Sequence, residues 1–476
     1  MDYARGGIDH RRQPAAVGAA CLACLALLAS TRSPSANAPH RSDERPRGSL
    51  IAGTSGSTPP RLLISRHAGA NSESVRQGVA VPSASPLLRT VRLGAFPQSF
   101  LVDAAARSVV VLQSTGDAPG YPGAHLVLTV LDARTGALLR TASLRIPYDP
   151  APKDVLDNMV VEVAVDPRNG RLLVATADRP GAPGHLEIRD PRTLAVVATR
   201  RFRLATAGGG GGAMLADARL GRLFIRDVHA VGTGTADVLD VADLGTGALL
   251  RTVRLPGGNE DGGFALDART GRLFVGGHVL DAGSLAVVAT IPPGNAGSYA
   301  VDEVAGRVVS TTYLGTTNGQ PMTRVSILDA RNGAVLHTVD GECGIGIALD
   351  TVAGRIACVS ASRISEEESD AYLDILDTRS ERLLHQYHFG ILAEARYAYD
   401  VDAHTGRVIV VLASGYGPGY ADGITVVDLR SGRGTDSSVT LGQGPPNIAV
   451  DRTTGRTFVA NEGDKTVSVL DTARLP

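Results

Sequence analysis

From Leu87 to the end of the chain, short apolar segments alternate with polar turns rich in Asp, Gly, Asn and Thr. The 3.6-residue apolar period of an amphipathic helix is missing, and the short segments bounded by turn residues predict strands throughout. One element recurs eight times: an apolar segment ending in Asp, a tight turn, and an Arg opening a second apolar segment. "VAVDPRNGRLLVA", "FALDARTGRLFVG" and "IAVDRTTGRTFVA" are examples. Its aspartates are Asp103, Asp166, Asp217, Asp267, Asp302, Asp350, Asp402 and Asp451. A third strand, a second Asp turn and a fourth strand follow, as in "LTVLDARTGALLRTASL" at Asp132, and again at Asp329 and Asp377. A repeat of about 50 residues holding four short strands reads as one blade of a β-propeller. The expected fold is therefore all-β, a propeller of four-stranded blades. Eight motif copies imply eight blades, or seven if the short fourth unit, "GGFALDARTGRLFVGGHVLDAGSLAVVATIPP", is degenerate.

The turns carry their own chemistry. Asp accepts hydrogen bonds from backbone amides just ahead of it, and Gly adopts the left-handed conformation such turns require. In the first copy, "FLVDAAARSVVVL", Ala106 is taken to stand in the glycine's place, which predicts a strained or differently shaped turn. The eight aspartates invite a catalytic reading, but their position implies turn capping. Cutting the repeats at the first strand leaves the last unit with three strands only. Ahead of the first unit stands an orphan, "LLRTVRLG" at 87–94, which matches the fourth strand "LLRTVRLP" at 249–256. The N-terminal strand is expected to complete the C-terminal blade, closing the ring and removing the open edges that invite aggregation.

Residues 1–38 have the charged start, apolar run and small-residue A-x-A site of a cleaved signal peptide. The run, 15–29, is shorter than the roughly 20 residues needed to cross a bilayer, and no other segment comes close. Residues 39–86, rich in Ser, Pro and Arg, read as a disordered linker, and 87–476 as a single propeller domain. The expected product is a secreted or periplasmic monomer with no transmembrane segment after signal cleavage. Lys plus Arg is 47 against Asp plus Glu 48, so bulk charge does not direct the protein to nucleic acid. Of the four cysteines, Cys343 and Cys358 survive cleavage; counted back from their shared turn they are out of register, so free, partly buried thiols are expected.

The last unit, "NIAVDRTTGRTFVANEGDKTVSVLDT", resembles the YVTN-type propeller repeat. Asn447, Asp451, Phe458 to Asn461 and Thr466 to Asp471 fill the places of that repeat, with Phe for its Tyr. The other units keep only the two Asp turns. The resemblance implies a propeller related to the YncE-like proteins, on the cell surface or in the periplasm, and it transfers no catalytic residue. With no Trp in the chain, WD40 and pyrroloquinoline-quinone dehydrogenase propellers are disfavoured.

Long loops after second and fourth strands should gather on one face, opposite the Asp turns, and loops on a rigid scaffold are the usual place for binding. Two of them, "STGDAPGYPGAH" and "SGYGPGYADG", are alike, and ring closure sets both beside "NEGDK" of the last unit. Tyr121, His125, Tyr416, Tyr420, Asp422, Asn461, Glu462 and Lys465 form the candidate sector. Aromatic faces with a few polar groups suit a small molecule, a glycan or a protein segment. Glu260 and Asp261 are the candidate acid/base pair if the protein is an enzyme. Glu366, Glu367, Glu368 and Asp370 share one acidic loop, which reads as solvated; Ca²⁺ is its alternative occupant. No cofactor is expected. The leading reading is a non-catalytic binding propeller; the alternatives are a lactonase-like or streptogramin-lyase-like enzyme acting at the central channel, or a structural cell-surface module.

Overall fold

The computed structural model describes residues 85–476 except 105, 116–125, 145–159, 178–183, 203–213, 232–233, 257–262, 318–319, 342–346, 364–367, 381, 394–395, 414–422 and 443–445. Seven four-stranded antiparallel sheets follow in chain order: β2–β5 (96–144), β6–β9 (160–202), β10–β13 (214–254), β14–β17 (264–290), β18–β21 (298–341), β22–β25 (348–393) and β26–β29 (396–437). The eighth takes β30 (Pro446–Asp451), β31 (Arg456–Asn461) and β32 (Thr466–Asp471) from the C-terminal end. Its fourth strand is β1 (Leu87–Arg92), antiparallel to β32 with Thr90 opposite Ser468. The first strand of each blade lies beside that of the next, and β30 beside β2, so the ring closes as an eight-bladed β-propeller. The short fourth unit is a complete blade of four-residue strands.

Each blade has a neighbour on both faces, so middle strands such as β3 (Ser108–Ser114) and β31 (RTFVAN) are buried on both sides rather than alternating. β3 is buried along its whole length, whereas the outer strand β5 (Leu138–Leu144) is mostly exposed. The hydrophobic clusters lie between blades. At the closing seam Val91, Phe458, Val467 and Val469 pack against Phe100, Val109, Val111 and Leu131 of the first blade, with the Phe100 and Phe458 rings 6.5 Å apart.

The repeated Asp and Arg do the local work. All eight first-turn aspartates are buried. Asp166 accepts from the Arg168 amide at 3.0 Å, and Asp451 from that of Thr453 at 2.9 Å. The Gly-Arg arginine reaches the following blade: Arg272 donates to the Arg331 carbonyl at 3.0 Å, Arg355 to Leu429 at 2.9 Å, Arg407 to Leu475 at 3.0 Å and Arg456 to Arg134 at 3.1 Å.

Three expectations are corrected. In the first blade the left-handed residue is Arg107, with φ 54°, not Ala106, because the turn places it four residues after Asp103; Ala106 instead donates its amide to Asp103 at 2.9 Å. Cys358 is buried and disulfide-bonded rather than a free thiol, with its partner outside the described residues. β22 (Ala348–Asp350) holds the ladder for three residues only, so a register extrapolated from the turn does not govern the chain before it. Glu368 and Asp370 belong to β24 (Glu368–Asp377), paired opposite Ala393 and Ile391, and so are not loop residues; Glu366 and Glu367 lie outside the described residues.

Deleting residues 1–94 removes β1 and leaves the β32 edge and the valines at the seam exposed. The expected outcome is dimerisation or aggregation and a lower melting temperature, read by light scattering and calorimetry; a monomer with unchanged melting would contradict closure by β1.

Candidate functional site

The turn between β31 and β32 is where ring closure and the loop face meet. Asn461, 1% exposed, fixes its start by donating Nδ2 to Thr466 Oγ1 at 2.8 Å and Ser468 Oγ at 3.0 Å. Lys465 closes it. Its φ is 54°, its amide donates to the Glu462 carbonyl at 3.1 Å, and its own carbonyl accepts from Leu93 just past β1 at 2.8 Å. The left-handed conformation costs a non-glycine residue about 1–2 kcal/mol. Part is returned by the side chain, whose ammonium sits 4.0 Å above the Phe96 ring, a contact worth about 0.5–1 kcal/mol at an exposed site.

Phe96 opens the first strand of the first blade, β2 (Phe96–Asp103), and that strand supplies the rest of the seam. Gln98 Nε2 donates to Glu462 Oε1 at 3.1 Å, and Asn447 Nδ2 to the Gln98 carbonyl at 2.6 Å. Gly442, past the seventh blade's last strand, runs so close that a Cβ there would meet Asp464 Oδ2 at 2.5 Å and Asn461 Cβ at 2.7 Å. Chain from the seventh, eighth and first blades thus converges on one turn.

Of the candidate sector, Asn461, Glu462 and Lys465 stand together here. Asn461 is a buried structural residue, while Glu462 and Lys465 are partly exposed. Tyr121, His125, Tyr416, Tyr420 and Asp422 lie outside the described residues, as do Glu260 and Asp261. Phe96 and Gln98 went unread, although their place directly after the orphan strand was a usable signal. Among the scattered histidines, His278 is buried with Nε2 2.5 Å from the Pro256 carbonyl, and His388 stacks on Tyr372 at 4.6 Å. Among the described residues no three His, Cys, Asp or Glu side chains are grouped to hold a metal ion, and no helix is long and apolar enough to cross a membrane.

Several second-turn aspartates are electrostatically perturbed. Asp190 is held below its ordinary value by the Thr193 amide and hydroxyl, Asp243 by the Thr246 hydroxyl and amide, and Asp281 by the Ser284 amide and hydroxyl. Asp400 moves the other way. Burial raises its pKa despite amide bonds from Val450 at 2.8 Å and Val401 at 2.7 Å and the pull of Arg452; the Val450 bond ties the first strands of the seventh and eighth blades together.

The molecule is thus an eight-bladed propeller closed by its own N-terminal strand, with a charged turn pinned at the closure. It is similar in fold to the Dos1 propeller, with a TM-score of 0.53 and 12% identity over 81% of this chain and 95% of that one. The Cps50 (Swd1) β-propeller domain of Myceliophteria thermophila aligns with 80% of this chain and 99% of its own at 11% identity and a TM-score of 0.43. No family model matches the chain, and no curated protein matches it in sequence.

Two measurements check this electrostatic and strain account. A carboxylate with a lowered pKa adds stability that is complete above its ordinary value of 3.8 and is lost as pH falls through the lowered one. Melting temperature should therefore fall on acidification below about pH 4, and Asp190→Ala with Asp243→Ala should lower the neutral-pH value and flatten that fall. For Asp400 the sign is reversed, its contribution weakening as pH rises above 3.8. At the seam, Lys465→Gly should change stability by no more than about 1 kcal/mol, because relief of strain offsets the lost ring contact; a larger loss in denaturant titration would show that the ring contact dominates.

Proposed function

We propose that the chain is an exported, non-catalytic propeller that binds a glycan, a small molecule or a protein segment on its loop face where the seventh, eighth and first blades meet. The observation that carries this reading is the turn holding Glu462 and Lys465. It is partly exposed, fixed by contacts from two other blades, and keeps a lysine in a conformation that glycine would adopt at lower cost. Strain retained outside glycine clusters at binding and active sites. The turn capping of the eight repeated aspartates supports a non-catalytic assignment, since those carboxylates are committed to the scaffold. Export rests on the signal-like residues 1–38, and kinship with the YVTN-type repeat on the last blade.

Glycan and peptide arrays probed with the purified mature chain test the reading. Binding should weaken at least tenfold in a Glu462→Ala, Lys465→Ala double variant and in a Tyr416→Ala, Tyr420→Ala double variant, with melting changed little. Turnover of a bound compound, or binding unchanged in both variants, would overturn it. N-terminal sequencing of the exported protein should begin near residue 39.

A further inference from the structure

On the opposite face, among the Asp turns, a cavity of about 450 Å³ opens between the sixth and seventh blades. Arg355, Arg379 and Arg430 line it together with Asp350, Asp428 and Thr405. Arg355 is committed to the Leu429 carbonyl, and Asp428 to the amides of Arg430 and Ser431. The Arg379 and Arg430 guanidinium groups form no hydrogen bond or ion pair with described residues, whereas the Arg168, Arg272 and Arg456 side chains each have an aspartate within 3.2 Å.

Asp350 is the second unsatisfied group. Its Oδ1 accepts from Val352 at 2.9 Å and Ala353 at 3.0 Å, but its Oδ2 is buried without a partner, on a residue 1% exposed. Elsewhere in the ring that outer oxygen is met in several ways: Arg168 donates to Asp166 Oδ2 at 3.0 Å, and Asp217 Oδ2, which also lacks a hydrogen-bond donor, has the Arg219 guanidinium 4.0 Å away. A threonine three residues on donates to that oxygen, as Thr270 does to Asp267, Thr405 to Asp402 and Thr454 to Asp451. Alternatively a threonine from the next blade does so, as Thr378 does to Asp302 at 3.3 Å. At Asp350 the threonine positions hold Ala353 and Leu429, and Val352 stands where Arg168 and Arg219 follow their aspartates, so all of these routes are closed. Leaving a buried acceptor unmade is costly, and a ligand that supplies a donor recovers that cost.

We infer that this cavity binds a small organic anion carrying a hydroxyl beside its charged group, such as a polyol phosphate. The anion pairs with Arg379 and Arg430, and the hydroxyl donates to Asp350 Oδ2. A metal cation does not fit, because three arginines line the space. Guanidinium groups suit phosphate through paired N–H donors.

Calorimetric titration of the purified full chain with three probes separates the two contributions: glycerol 3-phosphate has both groups, sulfate only the charge and glycerol only the donor. Glycerol 3-phosphate should bind saturably with one site and at least tenfold more tightly than sulfate. Arg379→Ala with Arg430→Ala should weaken it at least tenfold. Ala353→Thr installs the internal donor used at Thr270, Thr405 and Thr454, so it should preserve folding and sulfate binding while abolishing the preference for glycerol 3-phosphate. Equal affinities in the native protein, no saturable binding, insensitivity to the arginine substitutions, or a preference that survives Ala353→Thr would each overturn the inference. Because Glu462 and Lys465 lie in the β31–β32 turn, at the opposite end of the strands from the Asp turns, this result stands apart from the loop-face reading.

Discussion

A four-stranded blade of this size buries its two faces only against other blades, and everything else in the molecule follows from that dependence. Buried Val, Leu and Phe side chains contribute about 1.5–3 kcal/mol each when removed from water, and here they lie between neighbouring sheets. One missing neighbour would expose the flanks of two blades at once. The pairing of β1 with β32 is therefore the condition under which the eighth interface has the same form as the others.

Within that frame the repeated Asp and Arg divide the work between the turn and the interface. The aspartate shapes its own hairpin by accepting amides, and the arginine spans the blade junction to a carbonyl at the next blade's turn. Both are charged, yet they act as scaffold. This is why a sequence with so many regularly placed carboxylates need not gather them into a reactive centre. The pattern is not uniform: at Asp350 the places of the threonine donors are held by Ala353 and Leu429, and Lys465, like Arg107, Leu194 and Leu285, occupies a conformation suited to glycine.

The architecture was legible because it is periodic. Strand type, blade count and the role of 87–94 all follow from patterns repeated along the chain, and the structure reproduces them down to the degenerate-looking fourth unit. Features that depend on a single position were harder to read. The left-handed site in the first turn is Arg107, which "DAAAR" does not announce because it has no glycine to mark it. The disulfide at Cys358 leaves no mark in strand register, because a three-residue β22 releases the preceding chain from the ladder. The convergence of Glu462, Lys465, Phe96 and Gln98 was half legible: closure brought the right blades together, but a cation over a ring and an amide reaching across a seam depend on side-chain placement that no spacing encodes.

Closure by β1 also imposes an order on assembly. Of the described strands it is synthesised first, yet its only ladder partner is β32, the last. During synthesis β1 therefore has no ladder partner until β32 has been made. Closing the ring requires the docking of that strand, a contact between residues as far apart in sequence as Leu87 and Leu470. Long-range pairing of this kind is slow and leaves an edge open to other chains meanwhile. Once made, it acts as a clasp: a single six-residue strand joins the first and last parts of the propeller's chain.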